Sequence, residues 1–157
     1  FPFMVVVFGC VLCFVMLVLP KGWSILLTGA YVVFILYETL MFRETGNART
    51  NFVLFSYAGN FLKEQSIRVG VINNIWLFVP LGTGIYRGFR RKCMLLIPLL
   101  FSVLIEITQY ITGFGITEFD DVFGNTMGGW IGVLVAYTWV KNKAMRVLSG
   151  SDPMKYR

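Results

Sequence analysis

The sequence contains no histidine, only three cysteines, and few charged residues, which make up 14% of its 157 residues. Without histidine, the chain lacks the commonest general base and the commonest zinc ligand. Soluble domains carry roughly 25% charged residues. A charged fraction this low, with 57% hydrophobic residues and a mean hydropathy of +0.71, excludes an ordinary soluble domain. We therefore expect an integral membrane protein with no metal site and no cofactor.

The three cysteines lie in or beside apolar runs. Cys10 and Cys13 have the CxxC spacing that is redox-active or metal-binding when it opens a soluble helix or knuckle. Here Val and Leu residues surround the pair, and the sequence has no second CxxC. We therefore predict that Cys10, Cys13 and Cys93 are small packed residues of the helices.

Five apolar runs are long enough to cross about 30 Å of hydrocarbon, which takes about 20 helical residues. They cover residues 3–19, 23–42, 69–86, 93–111 and 122–140. The sequence therefore predicts an all-α fold, a polytopic membrane bundle of about five transmembrane helices, with residues 1–157 in one transmembrane domain. The first run has neither the basic start nor the cleavage site of a signal peptide. The sequence begins at Phe1 rather than Met, so whether residues precede it stays open.

The distribution of Lys and Arg predicts an orientation in the membrane. In a soluble protein the net charge of +6 would indicate a nucleic-acid partner, but here the basic residues punctuate apolar runs, so we expect none. Residues 87–92 and the C-terminal tail are rich in Lys and Arg, whereas residues 118–121 are acidic. We expect the tail in the cytoplasm, and the acidic turn and the N-terminus outside. Residues 43–68 also carry cations, which we expect to face the acidic turn.

Several polar residues interrupt the apolar runs near this acidic turn. A carboxylate inside a membrane segment costs at least ~2.5 kcal/mol in isolation, so it usually faces a partner or a wet cavity. On helices, Glu106 and Gln109 share a face, and so do Asp121 and Asn125. Whether Glu106 is functional or a satisfied buried acid stays open. We predict one polar cluster near the outer membrane face, comprising Asn74, Glu106, Gln109, Asp120, Asp121 and Asn125.

Glycines and one proline predict where helices approach closely. Glycines at four-residue spacing in the last run form a ribbon that lets another helix contact the backbone. The proline lies well inside the third run, where it removes a hydrogen bond and should kink the helix. The predicted packing positions are Pro80, Gly82, Gly124, Gly128 and Gly132.

Three stretches in order resemble the VanZ-like family of bacterial membrane proteins. They are YETLMFR at residues 37–43, NIWLFVPLG at residues 74–82, and ExxQ followed by EFDD and NxxG between residues 106 and 128. The resemblance implies a family core of four helices, here preceded by one N-terminal helix. The family often has Arg in the turn after Gln109, where Phe114 and Gly115 stand here. An Arg partner for the carboxylates would then be Arg43 or Arg49, and we add Arg43 to the predicted cluster.

The family takes its name from a protein that confers low-level resistance to teicoplanin, a lipoglycopeptide antibiotic. The resemblance therefore implies a cell-envelope protein that limits access of an amphiphilic antibiotic. Two alternatives stay open: an enzyme or binder acting on a lipid or lipid-linked envelope substrate, and a small-solute or proton-coupled carrier. The absence of an established phosphatase or phosphotransferase motif counts against an enzyme. The expected partners are membrane lipids and a lipid-linked cell-wall precursor or a lipoglycopeptide, and an oligomer stays open.

Overall fold

A computed structural model describes residues 2–40, 49–55, 57–113 and 116–149. Within these residues the chain forms a bundle of five helices, as predicted for an all-α fold. The helices are α1 (Pro2–Val18), α2 (Lys21–Leu40), α3 (Gln65–Phe89), α4 (Leu96–Thr112) and α5 (Phe119–Leu148). A short 3-10 helix, Lys92–Leu95, leads into α4, and two three-residue strands, β1 (Arg49–Asn51) and β2 (Ile116–Glu118), precede α3 and α5.

Three helical stretches are long and apolar enough to cross a membrane: α2, α3 and the stretch Cys93–Thr112. The helices of the first and fifth predicted runs are not among them: α1 is apolar but has 17 residues, and α5 has 30 residues. Both α3 and α5 extend beyond their predicted spans, because the prediction followed hydrophobic composition. Polar and basic residues end a hydrophobic run, but they do not end a helix.

Contacts between the helices fix their relative directions. In α1 and α3, Thr83 Oγ1 donates to Cys13 Sγ at 3.5 Å, and Arg87 Nη2 donates to the Leu19 carbonyl at 3.2 Å, so these two helices run parallel. Helix α5 runs the same way, and α2 and α4 run the opposite way. At one end of the bundle, α3 and α5 start and α2 and α4 finish, and we call this the polar end. The opposite end is the basic end.

The closest helix pair, α3 and α5, is packed backbone against backbone. A Cβ atom at Gly82, Gly128 or Gly132 would collide with a carbonyl oxygen of the facing helix. Those oxygens belong to Gly129, Ile75 and Val79, respectively. Such contact needs glycine, because any side chain would push the two helices apart. We call these contacts the glycine seam.

The other predicted packing positions have looser or different surroundings. A Cβ at Gly124 would lie 3.6 Å from Asn74 Cβ, which is ordinary contact. Pro80 is buried inside α3, where Gly9 of α1 packs against it. Gly129 was not predicted, although a Cβ there would collide with the Pro98 side chain of α4. It lies one residue off the four-residue ribbon, so it faces a different helix.

The prediction of packed cysteines holds for one of the three. Cys13 is buried, but Cys10 and Cys93 are exposed on the bundle surface, so the prediction was wrong for both. Cys13 belongs to the buried face of α1 with Gly9 and Met16, at helical spacings of four and three residues. Cys10 lies one position off that face.

The two strands were not predicted. They pair in parallel, with Arg49 opposite Ile116, Thr50 opposite Thr117 and Asn51 opposite Glu118. Strands of three residues are too short to show the alternation that identifies a strand in sequence. Their pairing brings the segment before α3 next to the turn between α4 and α5.

The glycine seam predicts a sharp difference between two glycine substitutions. Gly128→Leu should lower the free energy of unfolding by about 1–3 kcal/mol or more and reduce membrane abundance, because the new side chain meets the α3 backbone. Gly29→Leu is the matched control, because Gly29 is exposed and a Cβ there meets nothing within 4 Å. Thermal unfolding in detergent, followed by tryptophan fluorescence, measures the difference. Equal stability of both variants would contradict the seam.

Candidate functional site

The turn between α4 and α5 places the acidic residues opposite the end of α4. Gly113 caps the C-terminus of α4, and its φ of 69° lies in the left-handed region that glycine adopts without strain. Its N–H donates to the Gln109 carbonyl at 2.9 Å. The chain then forms β2, whose last residue, the extended Glu118, is the N-cap of α5. Asp120 and Asp121 thereby occupy the first turn of α5, where the helix dipole favours negative charge.

Glu106 is buried and holds this turn in place. Its Oε2 accepts a hydrogen bond from the Glu118 N–H at 3.0 Å, and its carbonyl accepts one from Thr117 Oγ1 at 3.5 Å. A bond from a backbone N–H to a carboxylate is stronger than one between neutral groups. The carboxylate of Glu106 therefore fixes where α5 begins relative to α4.

Asp121 links α5 to α3. Asn74 Nδ2 donates to Asp121 Oδ1, and both residues lie at the polar end, just beyond the contact between Gly128 and Ile75. The glycine seam brings the two backbones close enough for these short side chains to meet.

Asp120 attaches the segment that follows β1 to the start of α5. Its Oδ1 accepts a hydrogen bond from the Phe55 N–H at 2.6 Å. The Phe55 ring also contacts the Phe123 ring, with 5.2 Å between centroids, and Phe52 contacts Phe119 at 5.3 Å. Phe55 has a φ of 59°, an unfavourable conformation for a bulky residue, so these contacts must hold it there.

An open cleft of about 590 Å³ lies between this segment and the starts of α3 and α5. We call it the acidic cleft. Its lining includes three carboxylates, three amides and a phenol: Glu118, Asp120, Asp121, Asn60, Asn73, Asn74 and Tyr57. Partial burial and then the charge of Asp120 raise the pKa of Tyr57, so its hydroxyl stays protonated and can donate to a ligand. The cleft thus suits cationic groups and hydrogen-bond donors.

An apolar groove of about 380 Å³ lies on the other side of the same α3 residues, between α1, α2 and α3. Most of its lining is apolar and aromatic: Met4, Val5, Phe8, Tyr31, Phe34, Trp76 and Leu77. Asn73 and Asn74 line both the groove and the acidic cleft. The Asn73 Oδ1 atom is buried and has no hydrogen-bond partner among the described residues. A polar site and an apolar site therefore share one wall.

Gln109 and Asn125 do not line the acidic cleft and make other contacts. Gln109 Nε2 donates to the Thr39 carbonyl of α2 at 2.9 Å, and Asn125 Nδ2 donates to Ser102 Oγ of α4 at 2.9 Å. Both residues are buried and connect α4 to its neighbours. Of the predicted cluster, Asn74, Asp120 and Asp121 line the cleft. Glu106 does not line it but binds the N–H of Glu118, which does. Arg43 lies outside the described residues.

Four polar residues of the cleft are absent from the predicted cluster: Tyr57, Asn60, Asn73 and Glu118. Tyr57 and Asn60 were missed because they lie in the connection before α3. The only signal in the sequence was a connection unusually rich in aromatic residues, with a turn at Gly59 and Asn60. Of the predicted cations in that connection, Arg68 donates to the carbonyls of Phe61 and Leu62 at 3.1 and 2.9 Å. Among the described residues, no three cysteine, aspartate or glutamate side chains form a group that could hold a metal ion.

Comparison with known proteins identifies the family. The family model described as VanZ/LLP1 matches residues 3–141, nearly the whole chain. The chain belongs to the VanZ/LLP1 family. A relative within that family, Protein VanZ of Enterococcus faecium, is 31% identical over 86 residues, which are 53% of this chain. This chain spans about half the length of that relative, 49%. No solved structure matches this chain significantly.

The bond between Asp120 and Phe55 predicts how the wall of the acidic cleft is held. Asp120→Ala should release residues 52–63, because it leaves the Phe55 N–H without its acceptor at a cost of about 1–3 kcal/mol. Asp120→Asn keeps an oxygen acceptor at the same place and should retain most of the protection. Hydrogen exchange of the peptide that covers these residues is the measurement. Unchanged exchange in the Ala variant would show that the aromatic contacts alone hold the segment.

Proposed function

We propose that this member of the VanZ/LLP1 family is a membrane protein of the bacterial cell envelope that protects against a lipoglycopeptide such as teicoplanin. One observation carries the proposal: the acidic cleft and the apolar groove share the wall formed by Asn73 and Asn74. A ligand that crosses this wall has a polar part and an apolar part. A lipoglycopeptide combines a lipid chain with sugar and peptide groups, so it has both.

The two sites offer complementary contributions to binding. Apolar surface buried in the groove contributes about 25 cal/mol per Å². The carboxylates and amides of the cleft would orient the ligand, because they accept hydrogen bonds from its hydroxyl, amide and ammonium groups. Asn74 is held by Asp121, whereas the buried Asn73 Oδ1 has no partner among the described residues.

The proposal requires the acidic cleft to face outside, where the antibiotic arrives. The described acidic residues lie at the polar end, and most of the described cations lie at the basic end. Cytoplasmic connections carry an excess of Lys and Arg. The basic end, with the C-terminus, is therefore proposed to be cytoplasmic, and the N-terminus and the cleft to be outside.

A second candidate is a binder or enzyme for a lipid-linked envelope substrate, which has the same combination of polar and apolar parts. The carboxylates of Asp120 and Asp121 line the cleft, where they would contact the polar headgroup. The third candidate, a small-solute or proton-coupled carrier, has less support. The glycine seam and the buried side chains around Phe78 and Met16 fill the centre of the bundle, where a solute would pass.

The proposal predicts that the charge of Asp121 matters more than its size. Asp121→Asn keeps the volume and an acceptor for Asn74 but removes the charge from the cleft. Protection should fall to the level of cells that lack the protein, while membrane abundance stays nearly unchanged. Glu106→Gln should lower protection less, because its neutral amide oxygen still accepts the hydrogen bond from the Glu118 N–H, although more weakly than a carboxylate does. The measurement is the inhibitory concentration of teicoplanin alongside quantified membrane protein.

Glu64→Gln is the matched control, because Glu64 is exposed at the polar end and does not line the acidic cleft. It removes the same charge and should leave protection unchanged. Full protection by both amide variants in the cleft region would make those carboxylates structural. If the unmodified protein does not raise the inhibitory concentration at all, the resistance proposal fails and the lipid-linked candidate takes its place.

A further inference from the structure

A second charged cavity, of about 420 Å³, lies at the basic end between the end of α3 and the last turns of α5. We call it the basic pocket. Three cations line it: Arg87, Arg90 and Lys143. The rest of its wall is largely apolar and includes Trp139 and Val140. The combination of clustered cations with an apolar wall is unlike the acidic cleft and calls for a different ligand.

Arg87 is only partly satisfied by the protein. Its Nη2 donates to the Leu19 carbonyl at the end of α1, at 3.2 Å. Its Nε is buried and has no hydrogen-bond partner among the described residues. A buried donor without an acceptor destabilises the folded protein, and more so when the group is charged.

Arg90 lines the pocket from an unusual backbone position. It ends α3 in the left-handed conformation, with a φ of 53°, and its N–H donates to the Tyr86 carbonyl at 2.9 Å. This position is usually taken by Gly, because other residues are strained there. From this position Arg90 lines the same pocket as Arg87 and Lys143.

The protein does not neutralise these cations within the part of the chain that the structure describes. The described acidic residues lie at the polar end, which is the far end of the bundle. Among the described residues, the pocket therefore presents positive charge that a bound anion would neutralise.

The end of α5 indicates that this anion is carried by a lipid. Val147 and Leu148 line the pocket and are 44% and 87% exposed. Apolar side chains next to cations at a helix end are typical of a membrane surface that contains anionic lipids.

We propose that the basic pocket binds the phosphate headgroup of an anionic phospholipid, with Arg87, Arg90 and Lys143 as its donors. The apolar wall around Trp139 packs against the glycerol and the first part of the acyl chains. The site does not depend on the function proposed for the acidic cleft, because the two lie at opposite ends of the bundle.

The test compares two double variants of the full chain in lipid nanodiscs. Arg90→Gln with Lys143→Gln removes two cations from the pocket and leaves Arg87 to hold the end of α1. Arg91→Gln with Lys141→Gln is the matched control, because both residues are exposed near the same end and outside the pocket lining. Thermal unfolding is measured in phosphatidylcholine with and without phosphatidylglycerol. Native mass spectrometry counts the phosphatidylglycerol molecules retained.

Phosphatidylglycerol should raise the unfolding midpoint of the unmodified protein and of the control by about 4 °C or more, with a retained lipid molecule. The pocket variant should lose both effects and otherwise unfold like the control in phosphatidylcholine alone. An equal loss in both variants would mean diffuse surface attraction and overturn the proposal. An absence of any lipid effect would overturn it too. A comparable stabilisation by inorganic phosphate in detergent would make the ligand a free anion rather than a lipid.

Discussion

The direct contact between the backbones of α3 and α5 is the constraint on which the candidate site depends. Packed helices usually lie 8–10 Å apart, with side chains between them. In the glycine seam, the α5 backbone at Gly128 instead touches the Ile75 carbonyl. Asn74, the residue before Ile75 on α3, donates a hydrogen bond to Asp121. Short side chains can make this bond only because the helices are already in contact. The position of the acidic cleft therefore depends on glycines, which have no functional side chain of their own.

The remaining helices complete the polar end around this pair. The Glu106 carboxylate fixes the start of α5, and the Gln109 amide connects α4 to α2. Asp120 then attaches the segment around Phe55 as the outer wall of the cleft. Each link satisfies a buried polar group, and each connects one more element to the polar end. The buried polar residues of the bundle therefore act mainly as connections, and those at the starts of α3 and α5 remain accessible in the cleft.

The two ends of the bundle have opposite chemistry, although the same two helices form both. At their starts, α3 and α5 present amides and carboxylates, and at their ends they present Arg87, Arg90 and Lys143. A rigid seam joins the two sites. The charge separation also supplies the orientation proposed for the protein, because cations are retained on the cytoplasmic side of a membrane.

The helices were predictable because membrane-spanning runs are continuous and apolar, and the seam was predictable because its glycines repeat every four residues. Other features depend on contacts distant in sequence. The sequence grouped Gln109 with Glu106 by helical spacing, but a separation of three residues still leaves them rotated about the helix axis, and Gln109 reaches α2 instead. Cys10 was misjudged for a similar reason. Tyr57 and Asn60 enter the cleft only because β1 pairs with β2, which no local pattern indicates.

The central claim is that the acidic cleft faces outside and mediates protection. The most direct test places a single cysteine at Asn60, an exposed residue that lines the cleft, in a chain whose three native cysteines are replaced by serine. Intact cells are treated with a bulky, membrane-impermeant maleimide, and both labelling and the inhibitory concentration of teicoplanin are measured. The account predicts that the cysteine is labelled and that labelling removes protection. Labelling only after the cells are permeabilised, or full protection by the labelled protein, would contradict it.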